Sequence, residues 1–232
     1  MKGFSIAIDG PVASGKGTLA LALAKRLDGF FLNTGAMYRS LALLAFEKGV
    51  DFNDEEEVLK LLPLVNVDLR DGKVFLNGKD VTDEIKKPDP DKGSSIVAVY
   101  KKVREVMVSK QQELASKYIE MGKVVIGEGR DAGTRVLPDA SLKIFLTADV
   151  QIRAKRRQQL YKSKGVEKSF EEVLEEAKIR DERDSSREID PLPTDPEKLG
   201  YWILDNSMQT EEESINVIMD ELKRRGLLND KN

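Results

Sequence analysis

The chain has 232 residues, of which 40% are hydrophobic, and it contains neither cysteine nor histidine. Those absences exclude disulfides, thiolate nucleophiles, zinc hydrolases and serine–histidine triads, so any chemistry must use Lys, Arg, Asp, Glu, hydroxyls and backbone amides. The formal net charge of -3 disfavours a general nucleic-acid partner, and no apolar run approaches the roughly 18 residues of a membrane span, so we expect a cytoplasmic protein with no membrane partner.

Residues 1–64 alternate between strand and helix patterns. Apolar FSIAID reads as a buried strand that ends at Gly10, and the Ala/Leu-rich segment after the next glycines consists of strong helix formers. A later helix is expected to begin with Thr34 as its N-cap and to close at Gly49. The predicted strand, helix, strand, helix and helix cover 4–9, 17–27, 30–32, 34–49 and 53–64.

The pattern changes over residues 65–82, where apolar and polar residues alternate around the turn dipeptides DG and NG. This alternation predicts an antiparallel hairpin or a three-stranded flap. Residues 86–95 are rich in Pro and Gly and are predicted to form a loop. We therefore interpret about 65–93 as a small antiparallel β insert in an otherwise α/β chain.

The remainder returns to alternating elements, beginning with a long helix predicted at about 95–121. The other predicted elements are strands at 124–129, 142–148 and 201–207 and helices at about 150–164, 169–187 and 211–226. Strands that alternate with helices indicate a central parallel sheet, here of five strands, with crossover helices. The loop between the two charged helices predicts a short helical lid at about 151–187. We expect one domain over 1–232, whose core comprises 1–64, 94–150 and 188–232.

The segment GPVASGKGT at 10–18 fits the pattern G-x-x-x-x-G-K between a predicted strand and a predicted helix. Glycines let the backbone curl tightly, so that its amide groups and the helix N-terminus can hold phosphate oxygens, while Lys16 adds a positive charge. A glycine-rich turn with a surface lysine is the alternative. The predicted phosphate-binding residues are Gly10, Pro11, Val12, Ala13, Ser14, Gly15, Lys16, Gly17 and Thr18.

Arginines are the other candidates for the site, because they can neutralise phosphate charge without any proton transfer. Arg130 lies just after a predicted strand, where ligands of α/β proteins bind. Arg180 and Arg187 are predicted to share a helix face with Asp184. A second face is predicted to carry Arg153, Arg156 and Arg157. For that second face, a solvated surface and an RNA-binding patch are the alternatives.

Several segments resemble, in order, those of the bacterial cytidylate kinase family of P-loop proteins: GPVASGKGT, then NTGAMYR at 33–39, SSIVAVYKKVR at 94–104, GRDAGT at 129–134 and RDERDSSR at 180–187. The resemblance covers nearly the whole chain and implies a three-layer P-loop fold. It also implies ATP-dependent phosphorylation of CMP and dCMP to CDP and dCDP, by direct in-line transfer, in pyrimidine nucleotide metabolism.

The resemblance implies a role for each matching residue. Phosphoryl transfer is assigned to Lys16, Arg130, Arg180 and Arg187. In addition to the loop, Arg153 and Arg157 are assigned to ATP. Acceptor binding is assigned to Thr34, Tyr38, Arg39, Ser95, Arg104, Arg130, Asp131, Arg180 and Asp184. Within that set, Ser95, Arg104 and Asp131 frame cytosine, whose amino group suits an acceptor oxygen better than the carbonyl of uracil does. A core position is the alternative for Tyr38.

Mg²⁺ is the expected cofactor, but its ligands stay open. The residue after Lys16 is Gly17 rather than Ser or Thr, so Thr18, Ser14 or water must take that place. Thr18 or Glu128 could hold the ion, directly or through water. Glu128 could instead pair with Arg130, and Asp9 is a less favoured ligand.

Two other functions stay open from the sequence, and a third lacks the motifs that it requires. One is a kinase for another nucleoside monophosphate, such as UMP, dTMP or AMP. A kinase for a non-nucleotide alcohol would need a base, for which the chain offers carboxylates. A GTPase-type switch would need the motifs N-K-x-D and D-x-x-G, and neither occurs in the sequence. We expect a monomer whose partners are ATP and CMP or dCMP.

Overall fold

The computed structural model describes residues 3–163 and 165–228, and these contain two β-sheets flanked by helices. The strands are β1 (Ser5–Asp9), β2 (Phe30–Asn33), β3 (Val67–Arg70), β4 (Lys73–Leu76), β5 (Lys79–Asp80), β6 (Val125–Gly129), β7 (Leu142–Thr147) and β8 (Trp202–Asp205). The helices are α1 (Lys16–Arg26), α2 (Thr34–Glu47), α3 (Glu55–Leu61), α4 (Pro88–Val97), α5 (Lys101–Glu120), α6 (Val150–Ser163), α7 (Phe170–Ser186) and α8 (Glu211–Arg224).

The main sheet has five parallel strands in the order β2-β6-β1-β7-β8. Along the fully buried β1, Ala7 belongs to one hydrophobic cluster, whereas Ile6 and Ile8 belong to a second cluster on the opposite face. Because both faces of the sheet are covered by apolar residues, its strands read as continuous hydrophobic runs. The predicted three-layer α/β fold with a central five-stranded parallel sheet is confirmed.

The small sheet is antiparallel, in the order β3-β4-β5, as the dipeptides DG and NG predict. All four residues of the two turns have positive φ: Asp71 51°, Gly72 75°, Asn77 52° and Gly78 84°. Positive φ at both central positions matches the right-handed twist of the flanking strands. The inward side chains of this sheet join the core cluster that includes α2.

The loop predicted at 86–95 is wrong, since α4 occupies most of it. Pro88 and Pro90 lie in its first turn, where a missing N–H breaks no helical hydrogen bond. Gly93 packs against Phe52 so closely that a Cβ there would lie 2.7 Å from the ring. The prediction of a single helix at about 95–121 is also wrong, because the helix is interrupted between the end of α4 at Val97 and the start of α5 at Lys101.

Two predicted helix ends also differ from the structure. Asn33, not Thr34, caps α2, and its side chain accepts a hydrogen bond from the backbone N–H of Ala36 at 2.9 Å. Helix α7 ends before Arg187, which has extended backbone, so Arg187 does not share a helical face with Asp184. The division into core, insert and lid stays a prediction. Across the described ranges, no helix combines the length and apolar character needed to cross a bilayer.

Candidate active site

A cleft of about 650 Å³ opens at the carboxyl ends of the parallel strands, where ligands of such sheets bind. It brings together residues that are far apart in the sequence. Its lining includes Val12, Ala13, Gly15, Lys16, Gly17, Thr18, Thr34, Tyr38, Arg39, Asp91, Ser95, Arg104, Glu128, Arg130, Asp131, Arg156, Arg157, Arg180, Asp184, Arg187 and Asn206. The predicted residues Gly10, Pro11, Ser14 and Arg153 are not in that lining.

The predicted phosphate-binding loop at 10–18 follows β1 and curls tightly before α1. Gly10 has φ of 150°, and a Cβ there would lie 2.0 Å from the carbonyl oxygen of Leu146, so the close approach of β7 requires glycine. Gly15 has φ of 94°, in the region that favours glycine, and it forms the N-cap of α1. Just after β8, Asn206 donates its side-chain amide to the carbonyl of Ser14 at 2.9 Å. The loop is therefore fixed from two neighbouring strands.

Lys16 rests against its own loop. Its Nζ donates to the carbonyl of Pro11 at 2.7 Å and to the hydroxyl of Ser14 at 3.3 Å. Burial, with Arg130 nearby, lowers the pKa of Lys16 to about 7. A phosphate placed in the cleft would favour the charged ammonium again.

Arg130 and Asp184 form a buried ion pair between the end of β6 and α7. The Nε of Arg130 donates to Oδ2 of Asp184 at 2.6 Å. Burial alone would raise the pKa of Asp184, but Arg130, Arg180 and Arg187 hold it below its ordinary value. Asp184 therefore stays ionised in α7.

Arg39, Arg157 and Arg180, called here the three-arginine cluster, converge on Asp91. Two of them contact Oδ2 of Asp91, Arg157 at 2.9 Å and Arg180 at 2.8 Å, and Nη1 of Arg39 lies 3.8 Å from Oδ1. These arginines come from α6, α7 and α2, whereas Asp91 is in the first turn of α4. Sequence reasoning missed Asp91, since the loop predicted there concealed its position on a helix.

Arg104 and Asp131 form a buried ion pair at another part of the cleft. Arg104 also donates to Oδ2 of Asp190 at 3.0 Å and to the carbonyl of Ala98 at 3.3 Å. Nη2 of Arg187 lies 3.5 Å from Oδ1 of Asp131. The predicted base-reading carboxylate is thus held by two arginines.

Tyr38 and Ser95 line the same cleft as that pair, and their hydroxyls differ in hydrogen bonding. Tyr38 packs in the core cluster, so the core alternative holds, yet it also lines the cleft and its hydroxyl has no hydrogen-bond partner. The hydroxyl of Ser95 accepts from Nη1 of Arg183 at 2.7 Å. Sequence reasoning missed Arg183, although it belongs to the quoted segment RDERDSSR.

Thr34 and Glu128 connect α2 to the end of β6. The hydroxyl of Thr34 donates to the backbone carbonyl of Glu128 at 2.7 Å. Among the described residues, the side chain of Glu128 forms no ion pair with Arg130, whose partner is Asp184. The carboxylate of Glu128 therefore stays available at the wall of the cleft.

The residues predicted for Mg²⁺ have a suitable arrangement. Thr18 and Glu128 both line the cleft, and a Cβ built on Gly17 would lie 3.8 Å from Oε1 of Glu128. Residues 3–163 and 165–228 contain no cluster of three or more acidic side chains that could enclose a metal. One carboxylate and one hydroxyl suit Mg²⁺, which usually keeps waters and binds substrate phosphates. Asp9 does not line the cleft, because its carboxylate accepts from the amides of Ala132 and Gly133.

The three arginines of α6 have separate partners, so the solvated-face alternative is wrong. Arg153 donates to the carbonyls of Ala148 at 2.9 Å and Val12 at 3.0 Å, and it pairs with Asp181 at 2.6 Å. Asp181 also accepts from the backbone N–H of Val12 at 2.8 Å. Arg156 donates to Oδ1 of Asn206 at 3.0 Å and to the carbonyl of the same residue at 2.8 Å. The contacts of Arg153 are with the protein itself, and its role toward ATP stays a prediction.

Comparisons with known proteins agree on one family. A family model described as "Cytidylate kinase" matches residues 6–224. A protein named cytidylate kinase from Caldanaerobacter subterraneus subsp. tengcongensis is 42% identical over 219 residues, covering 94% of each chain. A cytidylate kinase from Bacillus cereus (strain B4264) is 45% identical over 222 residues, covering 94% of this chain and 95% of the relative.

A solved structure extends the comparison to the fold. It is an uncharacterized protein from Eubacterium ventriosum ATCC 27560, with a TM-score of 0.51 and 16% identity, covering 95% of this chain and 98% of that one. At this identity the likeness concerns the fold.

Proposed function

The chain belongs to the cytidylate kinase family and is therefore a kinase, and from that premise we propose that it transfers the γ-phosphoryl group of ATP directly to CMP or dCMP. The products are ADP and CDP or dCDP. The observation that carries the proposal is that Lys16 of the phosphate-binding loop shares one cleft with Arg39 and Arg130. These cations can face two anionic substrates placed end to end.

The residue types of the cleft suit transfer between two phosphates. A phosphate oxygen of the acceptor forms a bond to the γ-phosphorus while the bond to the β,γ-bridging oxygen breaks. The acceptor is already an anion, with a second pKa near ~6, so no base has to remove a proton. Positioning and charge neutralisation then supply most of the catalysis. A site built from arginines, one lysine and backbone amides meets that need without histidine.

The donor end is formed by the phosphate-binding loop and α1. Backbone amides of the loop and the N-terminus of α1 would hold the phosphates of ATP, and Lys16 would turn from the carbonyl of Pro11 toward them. Thr18 and Glu128 would hold Mg²⁺, directly or through water. When bound, the ion neutralises charge on the β- and γ-phosphates.

The acceptor end is formed by α2, α4, α5 and the residues after β6. Arg39 and Arg130 would hold the monophosphate, and Arg180 and Arg187 would approach the transferred group from the lid. Asp131 is the group proposed to read the base. Its carboxylate can accept from the amino group of cytosine, whereas it would repel the carbonyl oxygen of uracil.

The helices α6 and α7 act, in this proposal, as a lid over both phosphates. Arg153 and Asp181 contact the donor loop, while Arg180 contacts Asp91 on the acceptor side. A closed lid excludes water, which would otherwise accept the γ-phosphoryl group. We propose that the chain acts in the cytoplasm, in pyrimidine nucleotide metabolism, as a monomer without nucleic acid.

The experiment that tests the proposal is an acceptor panel. Purified protein with ATP and Mg²⁺ is given CMP, dCMP, UMP, dTMP or AMP, and kcat/KM is compared by measuring ADP and the nucleoside diphosphate formed. CMP and dCMP are expected to exceed the others, and removal of Mg²⁺ with a chelator is expected to abolish transfer. Folded protein that forms no CDP would reject the proposal. A higher kcat/KM for UMP, dTMP or AMP would favour the alternative acceptor.

A further inference from the structure

Asp91 is the anion around which the three-arginine cluster is arranged. Its side chain is only 20% exposed, and its two oxygens face guanidinium groups from three different helices. Burial alone would raise the pKa of Asp91, but Arg180, Arg39 and Arg157 together hold it well below its ordinary value. The carboxylate is therefore a permanent negative charge at the wall of the cleft.

The cluster has more donors than Asp91 can satisfy. The Nε atoms of Arg39, Arg157 and Arg180 are each buried without a hydrogen-bond partner. Leaving a buried charged donor unpaired is costly, and such groups in native proteins usually await a ligand or water. A carboxylate has two oxygens, whereas a terminal phosphate has three and carries up to twice the charge. The cluster thus suits a larger and more highly charged anion than the one that it holds.

We propose that Asp91 is a specificity-determining residue of the acceptor site: its carboxylate stands in the three-arginine cluster in place of the acceptor phosphate, which must displace it to bind. This inference rests on the proposed function. The acceptor is favoured over ATP because Arg39 and Asp91 come from α2 and α4, the helices that also carry Tyr38 and Ser95. Weaker anions are rejected, since an incoming group gains only the difference between its own contacts and those of the carboxylate.

The test compares two aspartates in the same helical turn. Asp91→Asn removes the charge within the cluster, whereas Asp89→Asn removes an equal charge from an exposed position of α4 and serves as the control. Calorimetric titrations measure the dissociation constants of inorganic phosphate, CMP and ATP for both variants and for the unmodified protein. Asp91→Asn is expected to bind inorganic phosphate and CMP about tenfold more tightly, with the ATP value unchanged within about twofold.

A stability measurement keeps the test decisive if Asp91→Asn folds poorly. Without the carboxylate, three partly buried arginines repel one another, and added inorganic phosphate should restore folding by taking its place. Phosphate is therefore expected to raise the Tm of Asp91→Asn more than that of Asp89→Asn. Equal increases, unchanged or weaker phosphate and CMP binding, or a gain for ATP alone would overturn the inference. The two failures are distinguishable, because inorganic phosphate binding tests the displacement of Asp91 by itself, whereas CMP phosphorylation by the unmodified protein tests the proposed function.

Discussion

Asp9 gives the sharpest quantitative prediction, because its carboxylate is fully buried at the end of β1. It accepts three hydrogen bonds, from the amides of Ala132 at 2.8 Å and Gly133 at 2.7 Å and from the hydroxyl of Tyr201 at 2.7 Å. Burial nevertheless raises the pKa of Asp9 from 3.8 to about 6, despite the opposing effect of those bonds. The turn that it holds carries Arg130 and Asp131 into the cleft.

The direction of the pH effect follows from that rise. Between about pH 4 and pH 6, the folded chain binds a proton on Asp9 that the unfolded chain has released. The stability that Asp9 contributes is therefore complete at pH values below its pKa in the unfolded chain, 3.8, and is lost as pH rises through its pKa in the folded chain, about 6. Each unit of difference between the folded and unfolded pKa corresponds to about 1.4 kcal/mol, so the full effect on the free energy of unfolding is about 3 kcal/mol. About 2 kcal/mol of it falls between pH 7 and pH 4.5.

Urea unfolding of the unmodified protein and of Asp9→Asn at several pH values between 4.5 and 7.5 measures this effect. Other carboxylates titrate in both proteins and cancel in the difference between their free energies of unfolding. As pH falls from 7 to 4.5, that difference is expected to move by about 2 kcal/mol in favour of the unmodified protein. Tyr201→Phe removes one hydrogen bond but keeps the carboxylate, so it serves as the control: because that bond lowers the pKa of Asp9, this variant should keep or strengthen the pH dependence of the unmodified protein rather than lose it. A difference that stays constant with pH, or moves the other way, would refute the reasoning.

Three further predictions concern the cleft. Arg130→Lys keeps the charge but loses the Nε that binds Asp184, so kcat/KM for CMP should fall about 100-fold in a coupled ADP assay; a loss below about threefold would contradict its role. Asp131→Ala should reduce discrimination between CMP and UMP about tenfold while ATP affinity, measured by calorimetry, changes less; equal losses would argue against base reading. Asn206→Ala releases the carbonyl of Ser14, so KM for ATP should rise about tenfold, and an equal rise for CMP would contradict this assignment.

The main sheet and the tight turn at 10–18 were predictable from the sequence because their signals are local. Each buried strand reads as an apolar run. Two glycines of 10–18 are required by the backbone itself, Gly10 through the close approach of Leu146 and Gly15 through its positive φ. The helix α4 was not predictable in this way. Its Pro-rich start and Gly93 are typical of a loop, and Gly93 lies in close contact with Phe52, which is distant in sequence.

The contact partners of the α6 arginines could not be predicted from local sequence either. Spacing places Arg153, Arg156 and Arg157 on one face of α6, but it cannot indicate which groups they meet. Arg153 donates to a carbonyl 141 positions away in the chain, Arg156 to one 50 positions away, and Arg157 to a carboxylate 66 positions away. Because the partners are so distant in sequence, the pattern identified these arginines as candidates but could not predict which group each one contacts.

The contacts of α7 connect both ends of the cleft through one short stretch of helix. Arg180 contacts Asp91, and Asp181 contacts Val12. The same stretch reaches Ser95 through Arg183 and Arg130 through Asp184. Because these side chains extend from little more than one turn of a single rigid helix, a rotation of that helix breaks all of the contacts together. In the proposed lid motion, opening is thus an all-or-none event, in which the protein would not loosen its hold on one nucleotide while it keeps the other fully enclosed.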